Sequence, residues 1–394
     1  MTAIQETMTP AERMEAAVKL EPLDRIPCAP LMDVYFPSRH KGWTTSEGLH
    51  NMRKGFHAIV DIFDELGAWD GMLLPGFSLP LTPHTYTGVV LGKTINPGIE
   101  LGENEVAQFV EKEVLTHDDY DDVVNLGWNG FRLKVKDRFN PYPEDRIIGW
   151  AENQMEQYRY ELDTWRKKGI RSLCGAITMS PLMILSTTRT LLEITKDIYY
   201  MPDKLEAVMD AMVDDLVSDA IEAAALSGEP GVMLIMERGG CFYYSMEIYE
   251  RFEFPHMKRM VDAFADAGLI TVMHLDQDYT MNLPYFKDLP PKMVVAELDS
   301  MTDIFKAKEV LKGHMCIAGD VPAALNYLGT RDVPAALNYL GTPQEVEEYC
   351  ERLIRLVGEE GGFILSTGCT LPVDCKIENL TAMVNTAKNY YPHS

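Results

Sequence analysis

The chain has 394 residues, 46% of them hydrophobic, enough to bury a substantial core within one barrel-sized unit. Sixty acidic against 36 basic residues leave a formal charge of −24, which argues against partners that must be gripped by basic surface, so neither nucleic acid nor an anionic membrane is expected. No apolar run approaches the ~20 residues that span a bilayer, and Met1-Thr-Ala-Ile-Gln-Glu-Thr7 lacks the basic and apolar regions of a signal peptide, so a cytoplasmic protein is expected.

In chain order, Thr9-Pro-Ala-Glu12 has the form of a capping box with proline at the first helical position, predicting a helix from about Pro10 to Lys19 within an N-terminal extension, 1–25. Ile26-Pro-Cys-Ala-Pro-Leu-Met-Asp33 reads as a first strand, residues 45–67 as a helix, and Asp70-Gly-Met-Leu-Leu-Pro-Gly76 as a second strand. From 79 to 146 the pattern loosens into glycines, prolines and short β-like runs such as Gly88-Val-Val-Leu-Gly92, which suggests an insertion, with a hairpin, over the mouth of the fold. A helix over 151–169 precedes a third strand, Arg171–Thr178, and Pro202–Ala225 carries Leu205, Val208, Met209, Met212, Leu216 and Ile221 at helical spacing. Val232–Glu237 is a fourth strand. Helical stretches Met246–Arg251 and Pro255–Ala267 follow, with an interruption at Glu253-Phe-Pro255. Leu269-Ile-Thr-Val-Met-His-Leu-Asp276, Met293–Asp299, Met315–Asp320 and Phe363–Cys369 complete the set of strands.

Continuous apolar strands alternating with helices imply a parallel sheet buried on both faces. Eight such units predict an α/β chain folded as a (β/α)8 TIM barrel, one domain over 1–394 with the insertion after strand two. Asp320-Val-Pro-Ala-Ala-Leu-Asn-Tyr-Leu-Gly-Thr330 recurs word for word at Asp332–Thr342, a single duplication that lengthens the loop after strand seven. Thr342-Pro-Gln-Glu345 then makes a second capping box.

In such a barrel the active site lies at the carboxyl ends of the strands. The polar residues that fall there are Asp33, Glu237, His274, Asp276, Glu297, Asp299, Asp320 and Cys369. A lone acid after a strand is ordinarily a cap or turn residue, but His and Cys are poor turn formers, so His274 and Cys369 carry more weight. The seven cysteines are dispersed with no Cys-x-x-Cys pair, which speaks against a disulfide framework or a zinc ribbon. Phe242, Tyr243, Tyr244, Met179 and Met183 lie near strand ends and read equally as the lining of a flat pocket or as ordinary packing.

Pro10-Ala-Glu-Arg13 with Asp24-Arg-Ile-Pro27, Gly319-Asp-Val-Pro322, Gly341-Thr-Pro-Gln-Glu-Val346 and Gly361-Gly-Phe-Ile-Leu-Ser-Thr-Gly-Cys369 followed by Glu378-Asn379 resemble the uroporphyrinogen decarboxylase superfamily, in particular its corrinoid-dependent methyltransferase branch. The resemblance covers nearly the whole chain and implies the same barrel. It further implies a zinc site of His-x-Cys plus a Cys after the last strand, which His274 and Cys369 match while Asp276 replaces the middle thiolate. A carboxylate there makes a harder Lewis acid and favours members that cleave methyl ethers. On that reading His274, Glu237 and Cys369 are the expected ligands, with Asp276 and Glu253 in reserve; Asp33, Glu297 and Asp320 hold polar substituents of the substrate or support the ligands, and Asp33, Asp276 and Asp320 are the candidate catalytic acids.

The implied activity is transfer of methyl from a small aromatic methyl ether to a Co(I) corrinoid. No His has an Asp two residues before it, as a corrinoid-binding signature requires, so the corrinoid is expected on a partner protein. A homodimer is left open. The alternatives are a methylcorrinoid-to-thiol or -tetrahydrofolate methyltransferase, a metal-free decarboxylase, and a non-catalytic scaffold.

Overall fold

The computed structural model describes residues 6–75, 93–139, 144–322 and 341–390. Two short antiparallel strands, β1 (Lys93–Ile95) and β2 (Gln108–Val110), form a hairpin. Six parallel strands, β3 (Ala176–Met179), β4 (Gly231–Ile235), β5 (Ile270–Leu275), β6 (Val294–Leu298), β7 (Cys316–Val321) and β8 (Phe363–Thr367), pair in sequence order.

Two further staves close the ring. Leu365 N donates to Pro27 O and Ala29 N to Leu365 O, each at 2.9 Å, tying the first predicted strand to β8. Asp70 N donates to Cys28 O (2.8 Å), Met72 N to Arg171 O (3.1 Å), Leu173 N to Met72 O (2.8 Å) and Gly175 N to Gly231 O (2.8 Å), so the second strand bridges the first to the run leading into β3. All of the predicted strands are therefore staves of one (β/α)8 barrel.

β4, β6, β7 and β8 are buried at every position, as strands sandwiched between a barrel interior and covering helices must be. Gly231 opens β4 because a Cβ there would lie 2.7 Å from both Ile270 O and Leu173 O. The buried apolar side chains form one continuous cluster from Met14 to Ala387.

The helices follow local chemistry. Thr9 and Glu12 make the expected capping box on Pro10–Val18, and Thr342 and Glu345 make the second on Pro343–Leu353. Pro202–Ser227 ends where Gly228 turns left-handed (φ 71°). The predicted 45–67 helix is instead two, Thr45–His50 and Met52–Glu65, because Asn51 leaves the helix and caps the second with its side chain on Lys54 N. The Glu253-Phe-Pro255 interruption is a π turn, Tyr249–Glu253, that runs on into Phe254–Asp266.

Within the 79–146 insertion, residues 79–92, including Gly88–Gly92, lie outside the described residues. The described part holds the β1–β2 hairpin and then helices, Tyr120–Lys134 chief among them, where a looser chain was expected. Gly127, at φ 72°, breaks that helix and so hides its periodicity. The helix predicted over 151–169 is Glu144–Lys167, which begins earlier than expected. The hairpin's flanks tie the two sides of the barrel mouth. Thr45 Oγ1 donates to Glu103 O (2.9 Å), Ala107 N to the Tyr35 hydroxyl (3.3 Å), and Arg238 Nη1 to Glu111 Oε1 (2.6 Å). Most of the duplicated stretch, 323–340, also lies outside the described residues. Among the described residues no helix is long and apolar enough to cross a membrane.

Candidate metal centre

His274 and Asp276 are two apart on β5 and its exit, and a strand's period of two puts both side chains on one face. β6 repeats the arrangement in register: His274 pairs with Glu297 and Leu275 with Leu298, so His274-Leu-Asp276 lies beside Glu297-Leu-Asp299. Cys369 approaches from the far side of the mouth, two residues past the end of β8. The three functional groups meet. His274 Nε2 is 3.3 Å from Asp276 Oδ1, and Cys369 Sγ is 3.9 Å from both His274 Nε2 and Asp276 Oδ2. Among the described residues, this is the group of His, Cys and acid ligand atoms arranged closely enough for a metal ion, all within 4.8 Å of one another.

The arrangement fits zinc. A tetrahedral site with bonds of ~2.0–2.3 Å has donor-to-donor edges of about 3.3–3.8 Å, close to the separations seen here. Asp276 Oδ1 is buried and has no hydrogen-bond partner among the described residues, as expected of an oxygen kept for a cation. The other ring nitrogen, His274 Nδ1, is hydrogen-bonded to Glu297 Oε2, which fixes the ring and turns Nε2 towards the site.

Burial alone would lower the His274 pKa, but the charges of Glu297 and Asp276 outweigh it and hold the ring well above its ordinary value. Burial raises Asp276 and pushes the Cys369 thiol up to about 12. All three groups thus hold their protons more tightly than usual. A metal would reverse this by taking the thiolate and carboxylate as ligands.

The remaining predicted residues are distributed around this group. Glu237, just past β4, lies close enough to feel Asp276 and His274, and burial with the Asp276 charge raises its carboxyl to about 7. Glu253 lies behind that loop: Ser180 Oγ donates to its Oε2 at 3.2 Å, and its carboxyl fills the space a Cβ on Gly239 would need. The structure does not bring Glu253 to the His274 cluster. Asp33 accepts from Tyr35 N (2.9 Å) and from the Thr370 side chain, next to Cys369, and burial raises it to about 7. Asp320 accepts from the Tyr349 hydroxyl at 2.8 Å and is likewise raised by burial to about 7. Met179, Met183 and Tyr244 are buried in the core, whereas Phe242 is exposed at the mouth.

Sequence reasoning grouped Glu297 with Asp33 and Asp320 as acids that hold substrate substituents or support the ligands, without pairing it with His274. The signal was present in the repeated pattern of His274-Leu-Asp276 and Glu297-Leu-Asp299, one strand apart.

The model of the uroporphyrinogen decarboxylase (URO-D) family matches residues 164–390, more than half of the chain and every strand from β3 to β8. The chain belongs to this family. Within and beyond the URO-D match, it is 22% identical over 399 residues to the methylcobamide:CoM methyltransferase MtbA of Methanosarcina mazei, covering 97% of this chain and 98% of that one. The MtbA of Methanosarcina acetivorans is 28% identical over 144 residues, 36% of this chain and 37% of that one. Among solved structures, a methyltransferase from Methanosarcina mazei superposes with a TM-score of 0.68 at 15% identity, covering 96% of this chain and 98% of the other, and so has the same fold.

Proposed function

We propose that this chain is a corrinoid-dependent methyltransferase that takes methyl from a small aryl methyl ether and delivers it to the Co(I) of a corrinoid held by a separate protein. The observation that carries the reading is the convergence of His274, Asp276 and Cys369 at the barrel mouth in a chain alignable end to end with a methylcobamide methyltransferase.

In that transfer the carbon–oxygen bond would break with its electron pair left on the aryl oxygen, while a Co(I) corrinoid presented by the partner would supply the electron pair for the new bond to carbon. Phenolate is a poor leaving group, since phenol has a pKa of about 10. A zinc ion bound at the site supplies Lewis acidity to stabilise that developing charge. Asp276, as a hard oxygen donor, suits the centre to an oxygen substrate better than a second thiolate would. Glu297 holds the Nδ1 side of His274, so that Nε2 remains the donor facing the site. Glu237, a buried carboxyl just past β4 beside Asp276, would return a proton to the aryl oxygen.

A second reading, methyl transfer from a methylcorrinoid to a thiol, is favoured by what the two MtbA relatives are named for. One anaerobic assay separates the two. Zinc-loaded protein is mixed with excess cob(I)alamin and a guaiacol-type ether, or with methylcobalamin and 2-mercaptoethanesulfonate, and the corrinoid spectrum is followed. Ether-dependent formation of methylcobalamin is expected. Thiol methylation alone would replace the ether reading with the second, and no transfer in either direction would contradict both.

A further inference from the structure

β6 contributes no ligand to the His274–Asp276–Cys369 group, yet each of the three is fixed in relation to it. His274 is held by Glu297 on β6 itself. The other two converge on Asp299, one residue beyond the strand's end. Asp276 is followed by Gln277, which adopts a left-handed conformation (φ 79°) unusual for a residue with a side chain. Such a conformation is strained and persists only where its surroundings impose it.

Asp299 is what imposes it. Its Oδ2 accepts from Gln277 N at 2.7 Å while Oδ1 accepts from Met301 N at 2.8 Å, so a single carboxylate spans the loops after β5 and β6. Thr302 adds a second tie, donating to Gln277 O (3.0 Å) and accepting from Tyr279 N (2.9 Å). Cys369 is set from the opposite side. Gly368, immediately before it, lies flat on the Asp299 backbone: a Cβ there would come within 2.8 Å of Asp299 C and Cα. Only glycine permits that approach, and the approach fixes where Cys369 leaves the strand.

We infer that Asp299 is a positioning residue for the metal, the common reference that brings Asp276, just after β5, and Cys369, just after β8, to bonding distance of one ion. The inference rests on the metal reading above and extends it to a residue that touches neither metal nor substrate. Its action is geometric: the carboxylate fixes Gln277 and hence Asp276, and the backbone fixes Gly368 and hence Cys369.

The test is zinc affinity, measured by competition with a chromophoric chelator, together with the visible spectrum of the cobalt(II)-substituted protein, for wild type, Asp299→Ala, Asp299→Asn, Thr302→Val and Gly368→Ala. Melting temperatures are recorded in chelator, so that metal-free stability is separated from metal binding. Asp299→Ala should weaken zinc by ~10–100-fold, the range for losing a group that orients a ligand. Asp299→Asn, which keeps one acceptor oxygen, should lose less. Thr302→Val should weaken zinc by less than Asp299→Ala. Gly368→Ala should diminish the sulfur-to-cobalt charge-transfer band by displacing Cys369. Zinc affinity and cobalt spectrum equal to wild type in Asp299→Ala would overturn the inference. Should that variant not fold, an unaltered Gly368→Ala would do the same. Zinc binding that His274→Ala leaves unchanged would sink the metal reading itself, a result distinguishable from an intact centre that Asp299→Ala fails to disturb.

Discussion

On the proposed metal reading the chemistry turns on Asp276, which would be a hard oxygen donor between two softer ones, His274 and Cys369. Asp276→Cys should therefore keep zinc but shift preference from ether to thiol. The ratio of the two initial rates should move towards the thiol by at least ~10-fold, equivalent to about 1.4 kcal/mol of barrier difference. An unchanged ratio would detach substrate choice from this donor. Glu253 offers a different test. Burial raises its carboxyl from an ordinary 4.5 to about 8, so between those values the folded chain keeps a proton that the unfolded chain has released. Stability attributable to Glu253 thus falls as pH rises from 4.5 to 8. Glu253→Gln should flatten that fall, so that the variant melts higher than wild type at pH 8 and nearly level with it at pH 5. Melting curves with parallel pH slopes would show that the carboxyl does not titrate in this window. In the sequence Glu253 read as an acid near a bend and, by resemblance, as a reserve metal ligand. Its burial, and its separation from His274, depend on a π turn that carries no sequence period.

The strands were legible because a two-sided burial requirement writes itself as an unbroken apolar run, and the final polar residue of each run marks the mouth. The helices of the insertion were not, since Gly127 interrupts their period. Nor was the pairing of His274 with Glu297, which depends on the register of β5 against β6. Local composition does not specify register. Glycine placement at the start of β4 is a check at this scale. Gly231→Ala would drive a methyl group to 2.7 Å from two backbone oxygens of the flanking staves. A loss of ~1–3 kcal/mol is expected, as for other overpacked cores, read as a lower urea midpoint at unchanged m-value. A midpoint equal to wild type would mean that the staves separate freely at this end, contrary to the closed ring of hydrogen bonds.

Across the whole molecule the two ends of the barrel divide the work. At the amino ends of the strands, Asp70 is buried and accepts from Arg13 Nη1 (2.5 Å), Arg25 Nη1 (2.7 Å) and Cys28 N (2.9 Å), tying the N-terminal helix to the first two staves. Removing it leaves two buried guanidiniums short of a partner. Asp70→Ala should cost ~3–5 kcal/mol of stability while the folded fraction keeps its full zinc content, because the metal group lies at the other end. Zinc lost in step with stability below the unfolding transition would contradict that separation. The carboxyl end carries the raised acids Asp33, Glu237, Asp299 and Asp320, each near 7, around the His274 group. The sequence put these acids at strand ends. The resemblance held Asp276 in reserve as a ligand, and the fold brings it to His274 and Cys369, whereas Asp320 hydrogen-bonds Tyr349.

The most direct test of the account is the metal content of the purified protein and of His274→Ala, measured by plasma mass spectrometry after preparation without chelators. The account predicts about one zinc per wild-type chain and its loss in the variant, since His274 Nε2 is the donor that meets both Asp276 and Cys369. A wild type that holds no zinc, and takes up none when zinc is added, would contradict it.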